Sequence, residues 1–195
     1  MKLILTKGLP GCGKSTFAKN YILNNPNSIE INRDHIRESV YGSLFYNFNK
    51  GKEKHVTNIQ DQIAQYCVQH KLNIIISDTN LKQSIYDKWK SFSTENKYDF
   101  IVKDFFEEFK LKHSGIPEFF VYNKYVEQCK KYNLRRLDSV SDSVIDNMAL
   151  NSYYSNIIYP FNDPSLPNVI LVDVDGTLAE KNDRNPFDES TVLND

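Results

Sequence analysis

The chain has 195 residues, of which 40% are hydrophobic and 25% are charged, and its formal net charge is −1. This composition is typical of a soluble globular protein and excludes the disordered and collagen-like classes. The longest apolar runs, such as 74–76, are far too short to cross a membrane, and the N-terminus leaves no room for a signal peptide. Cys12, Cys67 and Cys129 form no CxxC pair, which favours the reducing cytoplasm over a disulfide framework or a structural zinc site.

Apolar runs alternate with helical patterns along most of the chain. Short apolar runs bounded by polar residues or glycine predict buried strands, and amphipathic stretches predict helices. The predicted strands cover 3–5, 28–32, 72–77 and 100–106. The predicted helices cover 15–24, a short stretch capped by Asp34, 52–70, a stretch around Trp89, 118–131 and 142–158, with a polar connection at 47–51 and no element assigned to 107–117. This alternation predicts an α/β fold with a parallel sheet flanked by helices.

A proline-rich stretch divides the chain. Pro160, Pro164 and Pro167 lie within eight residues, and a new apolar run follows at 169–173. Residues 1–162 carry 22 basic and 17 acidic residues, whereas 163–195 carry two basic and eight acidic ones. We predict a first domain over 1–158, a linker over 159–168, and the start of a second, smaller α/β domain over 169–195. The mildly basic first domain permits a polyanionic partner at a local site.

The first motif is a glycine-rich loop between the first predicted strand and helix. It fits G-x-x-x-x-G-K-[ST] and reads Gly8-Leu9-Pro10-Gly11-Cys12-Gly13-Lys14-Ser15, with Thr16 next in the helix. Such a loop wraps backbone N–H groups around phosphates, its lysine neutralises phosphate charge, and its serine holds Mg²⁺. We expect Cys12 to bind through its backbone. The motif predicts a P-loop that binds ATP with Mg²⁺.

The second motif follows the second predicted strand and contains Asp34 and Arg37. In a parallel sheet this strand end faces the same crevice as the P-loop. A carboxylate at that place can accept the proton of an attacking hydroxyl, so Asp34 is the candidate general base. Arg37 lies one helical turn further on and can bind an acceptor phosphate. A simple N-cap is the alternative role of Asp34, and the two roles can coexist.

The third motif is the end of the apolar strand at 72–77, which is followed by Asp78 and Asn80. Asp78 has the position of a Walker-B-like carboxylate that orients Mg²⁺ through water or fixes Arg37. A plain carboxylate at a strand end is the alternative. We take Asp78 and Asn80 as candidate substrate-binding residues.

The fourth motif is the basic cluster 130–136 on or beside a helix. Lys131 and Arg135 are four residues apart and would share one helix face. In kinases of this build, such a helix can close over the nucleotide and stabilise the transferring charge. A solvated basic face is the alternative.

The last motif ends the apolar run at 169–172 with D-x-D-G-T, which includes Asp173, Asp175 and Thr177. It resembles motif I of the haloacid dehalogenase phosphatases. In that family the first aspartate is the nucleophile and the second the general acid, with Mg²⁺ between them. The chain ends twenty residues after Asp175, before the later motifs that this fold requires. We therefore expect no competent phosphatase.

The P-loop, INRD-x-x-R, SDTNL and DVDGTLA occur in this order, and the chain thereby resembles the phage 5′-polynucleotide kinase/3′-phosphatase family. The resemblance implies an N-terminal kinase that moves the γ-phosphoryl group of ATP to a 5′-hydroxyl end. By motif, Lys14 and Ser15 bind ATP and Mg²⁺. Asp34 activates the 5′-hydroxyl, and Arg37 contacts the acceptor phosphate.

The resemblance also assigns the remaining motif residues. Arg135 falls where a lid arginine of the family touches the donor phosphates, and Lys131 stands where the family often has a second arginine. Asp173, Asp175 and Arg184 match the beginning of the phosphatase domain.

Three readings of function stay open at this point. The first is a kinase for the 5′-hydroxyl ends of RNA or DNA, located in the host cytoplasm if the gene is a phage gene. The second is a small-molecule P-loop kinase for a nucleoside or a sugar, and the third is a non-catalytic nucleotide-binding module. The sequence does not decide whether RNA or DNA is the preferred substrate. It also leaves open whether the protein partner is a second copy of the chain or a separate phosphatase half.

Overall fold

The computed structural model describes residues 1–42, 49–136 and 139–152. These residues belong to the first of two units of the chain, Met1–Ile158, whereas the second, Tyr159–Asp195, lies outside the described residues. The strands are β1 (Lys2–Lys7), β2 (Ser28–Ile31), β3 (Asn73–Ile76) and β4 (Asp99–Asp104). The helices are α1 (Lys14–Asn24), α2 (Arg33–Tyr41), α3 (Lys50–Gln69), α4 (Gln83–Glu95), α5 (Phe105–Leu111), α6 (Glu118–Asn133) and α7 (Asp142–Ser152).

The four strands form one parallel sheet in the order β2-β3-β1-β4. The two central strands carry the apolar runs 3–5 and 74–76, in which every side chain is buried. A strand with apolar residues on both faces needs helices on both sides of the sheet, and the chain supplies them. The predicted α/β fold with a parallel sheet flanked by helices is therefore confirmed, and all the carboxyl ends of the strands lie at one edge.

Each face of the sheet packs against its own helices. One hydrophobic cluster joins Leu5 and Ile76 to Val56 of α3 and Trp89 of α4. On the opposite face, α1 packs through Ala18 on the neighbouring side chains of the same two strands. A separate cluster holds α5, α6 and α7 together and includes Leu9 of the glycine-rich loop. The glycine-rich loop therefore packs, through Leu9, against the layer formed by α5, α6 and α7.

Several predicted boundaries differ from the structure by one or two residues, and two of the differences have a clear cause. The predicted strand over 100–106 ends at Asp104, because the Asp104 side chain accepts hydrogen bonds from the N–H groups of Phe106 and Glu107 and so starts α5. No element was predicted over 107–117, and the structure shows that residues 107–111 of this stretch belong to α5. Helix α3 begins two residues earlier than predicted, at Lys50, because Asn49 caps it.

Candidate functional site

The glycine-rich loop runs from the end of β1 into the first turn of α1. Gly11 and Gly13 have φ angles of 82° and 106°, in the left-handed region that favours glycine. Gly13 is the N-cap of α1 and offers no side-chain cap. Since the first N–H groups of a helix have no partner within the helix, they are directed to an acceptor outside it, such as a phosphate.

Lys14 curls back over the loop. Its Nζ atom donates to the carbonyl oxygens of Gly8 at 3.0 Å and Leu9 at 2.7 Å, and it lies 3.6 Å from the Cys12 Sγ atom. Lys14 is buried, and the loop carbonyls hold its charged amino group inside the site. Ser15 follows in the first turn of α1. The loop carbonyls are weak acceptors, which a phosphate can replace as partners of the ammonium group.

Helix α6 supports the loop from outside. The hydroxyl of Tyr125 accepts a hydrogen bond from the Leu9 N–H at 3.3 Å. A Cβ atom built on Gly11 would lie only 2.1 Å from the carbonyl oxygen of Cys129. Gly11 is therefore required by a close helix–loop contact as well as by its backbone conformation. The Cys129 thiol on the same helix is buried, which raises its pKa to about 12, so this cysteine stays protonated.

The ends of β1 and β3 are tied together beside the loop. The Gly8 N–H donates to the Thr79 carbonyl at 3.1 Å, and the Thr6 hydroxyl donates to the carbonyl of Ile76 at 3.1 Å. The side chain of Asn80 is buried and donates through Nδ2 to the Thr6 carbonyl at 2.8 Å. Asn80 thus uses its amide to fix this framework, and its predicted contact with substrate stays a prediction.

Asp78 joins the β3 end to the start of α2. One carboxylate oxygen accepts the Arg33 N–H and the other the side-chain amide of Gln60, each at 2.8 Å. Burial raises the pKa of Asp78 above its usual value, and the two hydrogen bonds oppose that effect. Gln60 was not singled out by the sequence analysis. The structure gives Asp78 a bracing contact to α2, while its role at Mg²⁺ stays a prediction.

The N-cap of α2 is Asn32, and the prediction that Asp34 caps this helix is wrong. The Asn32 side-chain oxygen accepts the N–H groups of Asp34 at 2.8 Å and His35 at 3.2 Å. The Asn32 amide donates to the Ser77 hydroxyl at 2.8 Å and so anchors the cap in the sheet. Because Asn32 does the capping, the side chain of Asp34 is 55% exposed and available to a ligand.

Arg37 lies between two carboxylates. Its Nη1 atom is 2.5 Å from Asp34, and Nε and Nη2 donate to the two oxygens of Glu53 at 3.0 and 2.8 Å. Burial alone lowers the pKa of Arg37, but the hydrogen bonds and charges of Glu53 and Asp34 outweigh it and the pKa lies above its usual value. Glu53 also binds Arg33 at 2.6 Å. The sequence analysis missed Glu53, since no local spacing links α3 to α2.

The predicted basic cluster lies at the end of α6, the helix that contacts Gly11. The helix ends at Asn133, so Arg135 lies beyond it, and the expected helix face shared by Lys131 and Arg135 is not formed. The Arg135 guanidinium lies 5.3 Å from the centre of the Tyr132 ring. Both Lys131 and Arg135 are exposed. Their predicted contacts with donor phosphates stay predictions.

A cavity of about 670 Å³ opens beside Asp78. Its apolar wall comes from α4 and α7, and Arg33, Lys82 and Lys88 place three basic side chains in its lining. The apolar wall and the basic groups suit a ligand that has both an apolar and an anionic part. The apolar lining residues include Leu81, Ile85, Trp89, Val144 and Met148.

Within the described ranges, no three His, Cys, Asp or Glu side chains gather into a metal-binding group. Ser15 lies at the start of α1, and its predicted contact with Mg²⁺ stays a prediction. The predicted phosphatase residues Asp173, Asp175, Thr177 and Arg184 lie outside the described residues.

The family model described as an AAA domain matches residues 3–106, more than half of the chain. The chain belongs to the AAA domain family. The match covers the AAA domain core from β1 through the start of α5, and so includes the P-loop, Asp34, Arg37 and Asp78.

One similar curated protein is the "Putative bifunctional polynucleotide kinase/RNA ligase" of Autographa californica nuclear polyhedrosis virus. It is 25% identical over 96% of this chain. The match covers 26% of the viral protein, so the chain spans about a quarter of the length of this relative.

Two solved structures share the fold. A chain in the structure of the Pnkp1/Rnl/Hen1 RNA repair complex matches with a TM-score of 0.59 and 24% identity, over 80% of this chain and 45% of that one. A chain in a second structure of the Pnkp1/Rnl/Hen1 complex matches with a TM-score of 0.50 and 27% identity, over 70% and 40%. The fold of this AAA domain is that of the P-loop kinases. None of its described helices combines the length and the apolar character needed to span a membrane.

Proposed function

We propose that the chain is an ATP-dependent kinase that phosphorylates the 5′-hydroxyl ends of RNA or DNA. The observation that carries this proposal is the half-exposed Asp34 carboxylate, paired with Arg37 at the same sheet edge as the P-loop. A nucleotide-binding switch needs neither a base for a hydroxyl nor a cation for an acceptor phosphate. A phosphotransferase that acts on a phosphorylated alcohol needs both.

The donor side would hold the triphosphate of ATP. The loop from Gly8 to Gly13 and the first N–H groups of α1 would bind its phosphates, and Lys14 would exchange the loop carbonyls for phosphate oxygens. Mg²⁺, when bound through Ser15, would neutralise charge on the transferring group. Arg135 and Lys131 would approach the donor phosphates from the end of α6, the helix that contacts Gly11.

The acceptor side would activate the alcohol. The oxygen of the 5′-hydroxyl attacks the γ-phosphorus, its proton passes to the Asp34 carboxylate, and ADP leaves with the bond electrons. Asp34 is exposed enough to reach a hydroxyl, and Arg37 beside it would bind the nearest phosphate of the acceptor. Asp78 would hold the start of α2, and with it this pair, through the hydrogen bond that it accepts from the Arg33 N–H. Asn80 would bind the substrate at the same strand end.

The cavity beside Asp78 supports a nucleic-acid acceptor. Its apolar wall can receive a base, while Arg33, Lys82 and Lys88 can face the sugar-phosphate chain. The names of the similar proteins point the same way, since one is called a polynucleotide kinase/RNA ligase and two come from complexes named for Pnkp1, Rnl and Hen1.

The test is mass spectrometry of oligonucleotides that carry a 5′-hydroxyl and a 3′-phosphate, after incubation with protein, ATP and Mg²⁺. We expect RNA or DNA to gain one phosphate at its 5′ end. Asp34→Asn should reduce this transfer about a hundredfold or more while ATP binding persists. Glu38→Gln, which changes another exposed carboxylate of α2, is the matched control and should keep full activity.

A small-molecule kinase is the second candidate, because a cavity of about 670 Å³ also suits a nucleoside or a sugar. The same assay with nucleosides and sugars separates the two. Transfer to these acceptors without transfer to oligonucleotides would replace the polynucleotide proposal. ATP binding without transfer to any acceptor would leave the non-catalytic module.

We further propose the domain division 1–158, 159–168 and 169–195, with the last part as the beginning of a haloacid dehalogenase-like phosphatase domain. Its support is the D-x-D-G-T motif with Asp173, Asp175 and Thr177. Release of the 3′-phosphate in the assay above, abolished by Asp173→Asn, would support this assignment of the motif; release that persists in Asp173→Asn would contradict it.

A further inference from the structure

We propose that Glu53 is a positioning residue that fixes the guanidinium group of Arg37 for the acceptor phosphate, an inference that rests on the proposed kinase function. Glu53 lies in the first turn of α3, sixteen residues from Arg37 in the chain. It takes no part in the predicted motifs. The ion pairs across α2 and α3 carry the inference.

Glu53 binds Arg37 with both carboxylate oxygens. Oε1 accepts from Nε at 3.0 Å and Oε2 from Nη2 at 2.8 Å. A two-point contact of this kind fixes the plane of the guanidinium group as well as its position, which a single contact does not. The side chains of Arg37 and Glu53 are 15% and 27% exposed, so water screens the pair less than it would at an open surface.

Glu53 also holds a second arginine of α2. Arg33 stands four residues before Arg37, and two positive charges at this helical spacing repel each other. Glu53 Oε2 lies 2.6 Å from Arg33 and 2.8 Å from Arg37, between the two charges. Arg33 is fixed further by a 2.8 Å bond to the Thr57 hydroxyl, one turn along α3. One carboxylate thus keeps both arginines of α2 in place, and Arg33 lines the cavity.

Glu53 further decides how the charge of Arg37 is shared. Arg37 also contacts Asp34, the proposed base, at 2.5 Å. Without Glu53 the guanidinium group would lose the two-point contact that fixes its plane, while its contact with Asp34 would remain. Acceptor binding would then lose a preoriented cation, while the P-loop and its lysine would be unaffected.

Steady-state kinetics of Glu53→Gln test the inference. We expect the KM for a 5′-hydroxyl oligonucleotide to rise about tenfold and the KM for ATP to change less than about twofold, because a misplaced guanidinium group affects acceptor binding. Glu53→Asp keeps the charge and should recover part of the loss. Glu118→Gln is the matched control, since it removes an ion pair between α6 and Lys110 of α5 and should leave both KM values unchanged.

An NMR measurement gives a readout that does not depend on activity. The Arg37 Nε–H group should exchange slowly with water in the unaltered protein and in Glu118→Gln, and rapidly in Glu53→Gln. An unchanged acceptor KM and an unchanged Arg37 signal in Glu53→Gln would overturn the inference. A chain that phosphorylates no 5′-hydroxyl but shows the Arg37 signal lost in Glu53→Gln would overturn the proposed function and leave Glu53 as the residue that positions Arg37.

Discussion

The P-loop side of the site is made of backbone groups packed against one helix, whereas the α2 side is made of side chains from two separate helices, α2 and α3. On the first side, Gly11 lies directly against the backbone of α6, and the carbonyls of Gly8 and Leu9 hold Lys14. On the second side, Asp34, Arg37 and Glu53 hold one another through ion pairs.

This difference has a physical consequence for each side. A backbone loop under a close contact tolerates almost no added atom, so substitutions there should disturb the fold and nucleotide binding together. A side-chain network that is partly exposed can lose one member with a smaller change in stability, since water replaces part of the interaction. Function and stability should therefore separate on the α2 side and coincide on the P-loop side.

The largest expected effect breaks the contact between the loop and α6. Gly11→Ala places a Cβ atom 2.1 Å from the Cys129 carbonyl oxygen at a φ of 82°. We expect the free energy of unfolding to fall by about 3 kcal/mol, because either the loop or the helix must move. Binding of a fluorescent ATP analogue should be lost at the same time. Urea denaturation measures the first quantity and a fluorescence titration the second.

The control for this prediction is Gly42→Ala, at the C-cap of α2. Gly42 has a φ of 70°, but among the residues that the structure describes, apart from its chain neighbours, no heavy atom lies within 4 Å of an added Cβ. It should lose only the conformational part of the effect, about 1 kcal/mol. Equal destabilisation of the two variants would mean that the close contact with α6 does not constrain the loop.

An intermediate effect is expected for Asp78, which joins the two sides. Burial raises its pKa from the ordinary value of 3.8. As the pH rises from there, the Asp78 carboxyl group ionises first in the unfolded chain. The free energy of unfolding therefore falls until the pH passes the raised pKa of the native state. Asp78→Asn does not ionise, so its free energy of unfolding should rise relative to that of the unaltered protein as the pH increases through this window.

Urea denaturation of both proteins from pH 3 to pH 7 checks the sign. A difference that stays constant with pH would show that the Asp78 carboxylate is not penalised by burial. A difference that runs the other way, with Asp78→Asn losing relative stability as the pH rises, would mean that the ionised carboxylate stabilises the fold through Arg33 and Gln60.

The smallest change in stability is expected at the end of α6. Arg135 is exposed and contacts the Tyr132 ring, so Arg135→Ala should change the free energy of unfolding by less than about 0.5 kcal/mol. Phosphoryl transfer should still fall about a hundredfold if Arg135 stabilises the transferring charge. Arg136→Ala, a change in the neighbouring exposed arginine, is the control. Equal activity of both variants would remove Arg135 from the proposed donor site.

Local chemistry explains which parts of the site could be predicted. The loop motif concentrates Gly11, Gly13 and Lys14 in a few residues, so spacing alone indicates a phosphate site. The cap of α2 was predicted wrongly, because Asn32 and Asp34 are both good capping residues and only the bond from Asn32 to Ser77 decides between them. The end of β4 was predicted wrongly for a similar reason. The strand pattern of the sequence continues past Asp104, but the Asp104 side chain caps α5 and so ends the strand.

By itself the sequence determined the alternation of strands and helices, the parallel sheet and the P-loop, because each depends on periodicity or on contiguous residues. Only the tertiary structure decided that Glu53 and Gln60 of α3 meet the residues that follow β2 and β3, and that α6 contacts the loop. These contacts join residues far apart in the chain through distances, burial and side-chain direction. No local pattern encodes those quantities, since they arise when the sheet brings its strand ends to one edge.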